Sequence, residues 1–134
     1  MRIEWKPALS VGNDAIDAQH RELFRRAEDL RAAIVGGKAD RVSATLDYLH
    51  EYVVEHFGLE EAWMRENRYK GYTRHKAEHD RFVADLVALA EEHETASGDG
   101  FMAGRVNGWL GEWLVQHVSG TDAEMAVFLA KRLA

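Results

Sequence analysis

The chain has 134 residues, with 17 Lys+Arg against 23 Asp+Glu for a formal net charge of −6, and it carries seven His, one Pro and no Cys. Zero Cys excludes disulfides, thiolate metal sites, iron–sulfur clusters and a Cys nucleophile, and the acidic balance speaks against nucleic acid and anionic membrane surfaces, both of which select basic faces. No run of about 18 apolar residues offers a membrane span, and the opening Met1-Arg2-Ile3-Glu4-Trp5-Lys6-Pro7 has no apolar leader core, so the expected location is the cytoplasm.

An N-terminal arm holding the single Pro, Pro7, precedes the first periodic segment. Residues 14–35 carry a stripe of Ile16, His20, Leu23, Ala27, Leu30 and Ile34 at steps of three and four, which predicts a first helix. Its flank Arg21-Glu22, Arg25-Arg26, Glu28-Asp29 reads as a solvated face. Gly36-Gly37 ends it. Residues 40–66 give a second helix through Leu46, Leu49, Val53, His56, Glu60 and Trp63 or Met64, ended by the turn-rich 67–71. Residues 73–95 give a third, through His75, His79, Phe82, Leu86, Leu89 and His93, ended by Ser97-Gly98-Asp99-Gly100, a loose and mobile connection by composition. Residues 102–118 give a fourth, through Val106, Leu110, Trp113 or Leu114, and His117. Gly120 marks a break, and Thr121-Asp122-Ala123-Glu124 fits a capping box opening a short tail helix over 122–132. The expected fold is all-α: an up-down-up-down four-helix bundle with an N-terminal arm and a short C-terminal helix, one domain over 1–134.

In that topology the start of the first helix, the end of the second, the start of the third and the end of the fourth share one end. His20, His56, Glu60, His75, His79 and His117 all fall there, on the inward stripes, and Asp122 follows just beyond. His56/Glu60 and His75/His79 are one turn apart on one face. His117 and Asp122 are five apart, about 140° round a continuous helix, so both reach the site only if the helix breaks at Gly120. His50 lies about 120° off the face of His56, and His93 lies roughly 21 Å along the axis from His79; neither is expected to be a ligand. Trp5, Trp63 and Trp109 are expected to be structural.

Five imidazoles and two carboxylates exceed a zinc site, which takes four ligands or three plus water. With the carboxylates and a hydroxide bridging, they fill all but one position of two six-coordinate metals, a count that suits a dinuclear centre with room for one small ligand. Imidazole and carboxylate suit iron without excluding manganese. His75-Lys76-Ala77-Glu78-His79 also matches the H-x-x-E-H metallopeptidase pattern, but that reading leaves four donors unexplained. The Glu-x-x-His pairs of ferritin-like carboxylate proteins are missing, as are P-loop, G-x-G-x-x-G and G-x-S-x-G motifs.

The stretches Ser10-Val11-Gly12, Ile16-Asp17-x-Gln19-His20-Arg21-x-Leu23-Phe24, His56-Phe57-x-x-Glu60-Glu61-x-x-Met64, His75-Lys76-x-Glu78-His79-x-x-Phe82 and Trp113-Leu114-x-x-His117 with Asp122 make the chain resemble the hemerythrins, specifically the single-domain bacterial ones. Asn13 departs from that pattern, where an aliphatic residue is expected. The resemblance implies a di-iron centre, with His75, His79 and His117 on one iron, His20 and His56 on the other, and Glu60 and Asp122 bridging. It implies reversible uptake of dioxygen at the His20/His56 iron, in a dry pocket lined by Leu23, Phe57, Trp113 and Leu114. The function expected is therefore oxygen storage, delivery or sensing rather than catalysis, by a monomer that passes oxygen to an unnamed protein partner. The competing class is a di-iron redox enzyme (peroxidase, ferroxidase or nitric oxide-processing) on the same site. An iron store or regulatory module fits less well, because the chain offers no mineral cavity and no output domain.

Overall fold

The computed structural model describes residues 2–95 and 101–133, with side chains over 2–93 and 109–132. After a single 3-10 turn at Pro7–Leu9 come α1 (Asp14–Val35), α2 (Ala39–Glu66), α3 (Tyr72–Thr95) and α4 (Phe101–Gln116). A π-helical segment, His117–Asp122, runs on into α5 (Ala123–Leu133). Among the described residues there is no strand. The four long helices form the bundle, with α1 packed on α2 and α4, and α2 on α3. The 97–100 connection lies outside the described residues.

Local chemistry sets the helix ends. Asn13 is the N-cap of α1: its side-chain oxygen accepts from the Ile16 N–H at 3.0 Å. That gives the polar residue at this position a physical reason, since an aliphatic side chain cannot satisfy an orphan N–H at a helix start. Asp17, buried one turn on, accepts from the Val11 N–H at 2.9 Å and from the Ser10 hydroxyl, which ties the arm to α1. The end of α2 is a Schellman turn, with the Tyr69 N–H donating to the Met64 carbonyl at 2.9 Å and Tyr69 packed against the apolar group around Met64. The left-handed residue in that turn is Arg68, at φ +54°, where glycine is usual.

The apolar stripes pack into two groups. The larger fills the bundle through Leu23, Phe24, Leu30, Leu49, Phe82, Leu86, Leu110 and Leu114, with Ile3 of the arm inserted beside α4. The smaller, Ile16, Met64, Met125 and Leu129, closes the opposite side of the polar end and takes its last two members from α5. The α1 flank is less solvated than its composition suggests. Glu28 accepts from the Ile3 N–H at 2.7 Å and binds Arg31, and Arg26 lies over the rings of Tyr48 and Tyr52.

Candidate metal centre

Between the two apolar groups lies a polar layer. His20, His56, Glu60, His75, His79, His117 and Asp122 are all buried there. His20 comes from the start of α1, His56 and Glu60 from the end of α2, and His75 and His79 from the start of α3. His117 and Asp122 come from the π-helical segment.

That segment corrects two expectations. The chain does not break at Gly120; residues 117–122 stay helical but widen to i→i+5 spacing. One turn of a π-helix carries five-apart residues onto one face, so His117 and Asp122 meet without a break. The capping box does not form either. The Thr121 hydroxyl donates instead to both oxygens of Glu78, at 2.9 and 3.1 Å.

The two carboxylates each face both halves of the layer. Oε1 of Glu60 lies 3.3 Å from His75 Nε2 and 3.1 Å from His79 Nε2. Its Oε2 lies 2.9 Å from His56 Nε2 and 3.5 Å from His20 Nε2. Oδ1 of Asp122 lies 2.9 Å from His75 Nε2 and 3.1 Å from His117 Nε2, while Oδ2 lies 3.0 Å from His20 Nε2. The donor atoms thus sort into two groups that share Glu60. One holds Glu60, His75, His79, His117 and Asp122, the other His20, His56 and Glu60, and each group's atoms lie within 4.8 Å of one another.

These contacts are short, yet many lack hydrogen-bond alignment. Nε2 of His20, His56 and His75, both oxygens of Glu60 and Oδ1 of Asp122 are buried with no hydrogen-bond partner. So many aimed but unsatisfied polar atoms would be costly in a closed core. They point at common centres, as metal ligands do.

The outer ring nitrogens show the same design. Nδ1 of His56 faces Gln19 Oε1 at 2.6 Å, Nδ1 of His79 faces Glu61 Oε2 at 2.9 Å, and Nδ1 of His117 faces Glu78 Oε1 at 2.9 Å. Those partners only accept, so each Nδ1 carries the hydrogen, and in the neutral ring each Nε2 offers its lone pair inward. His79 Nε2 and His117 Nε2 then face each other at 3.2 Å. With both rings neutral, two lone pairs at that distance repel unless a proton or a metal cation lies between them. The donor set therefore fits a metal, and imidazole with carboxylate suits iron.

Charge tells the same story. Burial opposes protonation of His20, but the Asp122 and Glu60 carboxylates override it and lift the ring to about 9. His75 is lifted to about 9 by the same balance. Burial likewise works to raise the carboxyls of Glu60 and Asp122, yet the surrounding imidazoles hold both below the usual carboxylate range. The layer favours positive charge at its centre.

Gln19, Glu61 and Glu78 were not singled out from sequence as outer partners. Each adjoins a donor in the chain, next to His20, Glu60 and His79. One residue is about 100° round the helix, which turns such a neighbour toward the next helix. The relay runs in chain order: α1 serves His56 on α2, α2 serves His79 on α3, and α3 serves His117.

Apolar and aromatic side chains enclose the layer. Phe57 stacks on His79 at 3.8 Å between ring centres, and Trp113 on His117 at 4.4 Å. Leu23, Phe57 and Leu114 are buried, and Trp113 is partly buried against the same core. The two excluded histidines stand apart from the layer. His93 Nε2 donates to the Ala39 carbonyl at 3.0 Å, and His50 is partly buried on α2. Trp63 packs beside Met64, and Trp109 stacks on Phe82.

Comparison with known proteins agrees with this chemistry. The sequence profile described as the Hemerythrin HHE cation binding domain matches residues 11–129. A bacteriohemerythrin from Ralstonia nicotianae is 36% identical over 132 residues, spanning 97% of this chain and 90% of that protein. A myohemerythrin from Sipunculus nudus is 29% identical over 118 residues, spanning 88% and 86%. The crystal structure of a wild-type hemerythrin superposes with a TM-score of 0.80 at 28% identity, covering 93% of this chain and 95% of that one. The chain belongs to the hemerythrin family.

Proposed function

We propose that this chain binds dioxygen reversibly at a pair of non-haem irons. The observation that carries the reading is the division of the two carboxylates: Glu60 turns one oxygen to His75 and His79 and the other to His20 and His56, and Asp122 turns one to His75 and His117 and the other to His20. In this reading the first three imidazoles hold one iron, His20 and His56 hold the other, and the carboxylates bridge. The iron pair, when bound, supplies two electrons to dioxygen and recovers them on release.

The protein's part is to hold the donors, keep the imidazole tautomers fixed and exclude water. Gln19, Glu61 and Glu78 fix the tautomers of His56, His79 and His117. Leu23, Phe57, Trp113 and Leu114 supply the dry wall. Gln19, Glu61 and Glu78 are committed to outer ring nitrogens, so none stands free as an internal acid or base. That favours binding over turnover. The same reading has residues 1–134 acting as one monomeric domain in the cytoplasm, with dioxygen as ligand and a protein acceptor as partner, without nucleic acid or membrane insertion. One observation favours the redox-enzyme alternative. Glu78 is half-exposed beside an open groove and touches His117, which brings solvent protons close to the site.

The test is anaerobic loading with ferrous iron, followed by metal counting and optical spectra through oxygenation and deoxygenation. Two irons per chain and a band that appears with dioxygen and vanishes on its removal support the carrier. Irreversible oxidation with steady turnover supports the enzyme. One iron or none overturns the dinuclear reading.

A further inference from the structure

The five imidazoles have unequal outer partners. His79 and His117 each turn Nδ1 to a carboxylate, of Glu61 and Glu78, at 2.9 Å. His56 turns its Nδ1 to the neutral amide of Gln19. Nδ1 of His20 and of His75 is buried without a hydrogen-bond partner. Both charged partners therefore serve one donor group, and the His20/His56 group has a single neutral one. A carboxylate accepting the Nδ1–H makes the opposite nitrogen a stronger donor, and it places negative charge behind a bound cation.

We propose that Glu61 and Glu78 make the two metal positions unequal, so that the His75/His79/His117 position fills first and keeps its ion when the His20/His56 position has lost its own. The proposal rests on the dinuclear reading above. It makes Glu61 and Glu78 positioning residues that touch no substrate, and it gives the protein a defined half-loaded state. The three-to-two count of histidines already tilts affinity the same way, so the outer carboxylates must be tested apart from that count.

Their surroundings set an order. The Glu61 side chain is 14% exposed and lies 3.9 Å from Lys76 Nζ. Glu78 is 35% exposed, borders open solvent and shares its oxygens with Thr121. Water screens the more exposed charge better, so Glu61→Gln should weaken the tight step more than Glu78→Gln does. Both substitutions keep an accepting oxygen and remove only the charge.

The experiment is an anaerobic titration of the metal-free full chain with Co(II), read by its optical spectrum and by calorimetry. The wild type is expected to bind two ions in two resolved steps. E61Q/E78Q should weaken the first step by about 10–100-fold and leave the second within about threefold. Gln19→Glu is the reciprocal variant: it should tighten the second step and narrow the gap. Circular dichroism of each variant checks that the bundle is intact. Two ions per chain with step affinities unmoved in E61Q/E78Q and in Q19E overturn this proposal and leave the dinuclear centre standing. Fewer than two ions in the wild type overturn both.

Discussion

Single side chains decide what the polar layer does at a given pH. His20 and His75 rise from 6.5 to about 9 in the folded chain. Between those values the metal-free folded state holds protons that the unfolded state has released. Their contribution to stability is complete below about pH 6.5 and fades as pH climbs through 9. Glu60 and Asp122 are shifted the other way, so their contribution is present above the usual carboxylate range and is lost as pH falls below it. Thermal melts of metal-free protein should therefore give a lower Tm at pH 9.5 than at pH 6, by on the order of 5 °C. Iron-loaded protein should show a flatter profile, because its imidazoles are committed to metal. Leu114, buried three residues before His117, bears on lifetime. Leu114→Ala should admit water and speed autoxidation severalfold, measured as decay of the oxygenated spectrum; an unchanged rate would remove Leu114 from the proposed dry wall. At this scale the donors were legible because polar residues on apolar stripes are conspicuous. Gln19, Glu61 and Glu78 were not, since a polar residue beside a ligand looks like any solvated neighbour until the next helix is in place.

Individual elements carry the clearest departures from sequence reasoning. Helix periodicity placed α1 to α4 within a residue or two, because steps of three and four register directly as faces. The π-helical segment was not legible. Five-residue spacing argues for a break under α-helical geometry, and nothing in His-Val-Ser-Gly-Thr-Asp marks the wider turn. The two alternatives separate at Gly120. A break there would need glycine's freedom, whereas in the observed helix its added Cβ meets nothing within 4 Å. Gly120→Ala should stabilise the chain by about 0.5–1 kcal/mol and leave metal stoichiometry unchanged; loss of metal would restore the break. Arg68 offers the converse case. Its φ of +54° suits glycine, so Arg68→Gly should raise stability by about 1 kcal/mol, or a few degrees in Tm. Asn13 was legible only as a departure from its family's pattern, and its side-chain cap on α1 supplies the reason.

Across the whole molecule the core is divided, with the polar layer between a long apolar group and a short one. The sequence marks the long group well, since most of its members lie on the four stripes. It marks only half of the short one, Ile16 and Met64; Met125 and Leu129 join it through α5 folding back over the end of the bundle. Met125→Ala should cost about 2–5 kcal/mol by cavity formation. It should also hasten metal removal by a chelator more than a similar truncation at Leu49, deep in the long group, does. Equal effects on chelation would mean that α5 does not guard the layer. The divided core also says how an ion gets in. All seven donors are shut away from solvent, so a closed bundle can neither load nor release a metal. The end under α5, closed by the smaller apolar group, is expected to part first while the long group stays packed. That end would then be a separate cooperative unit, with its own opening free energy below that of global unfolding. Metal exchange and amide exchange at that end would report the same event, and the frequency of that opening, rather than the strength of the ligands, would set how quickly the protein is charged.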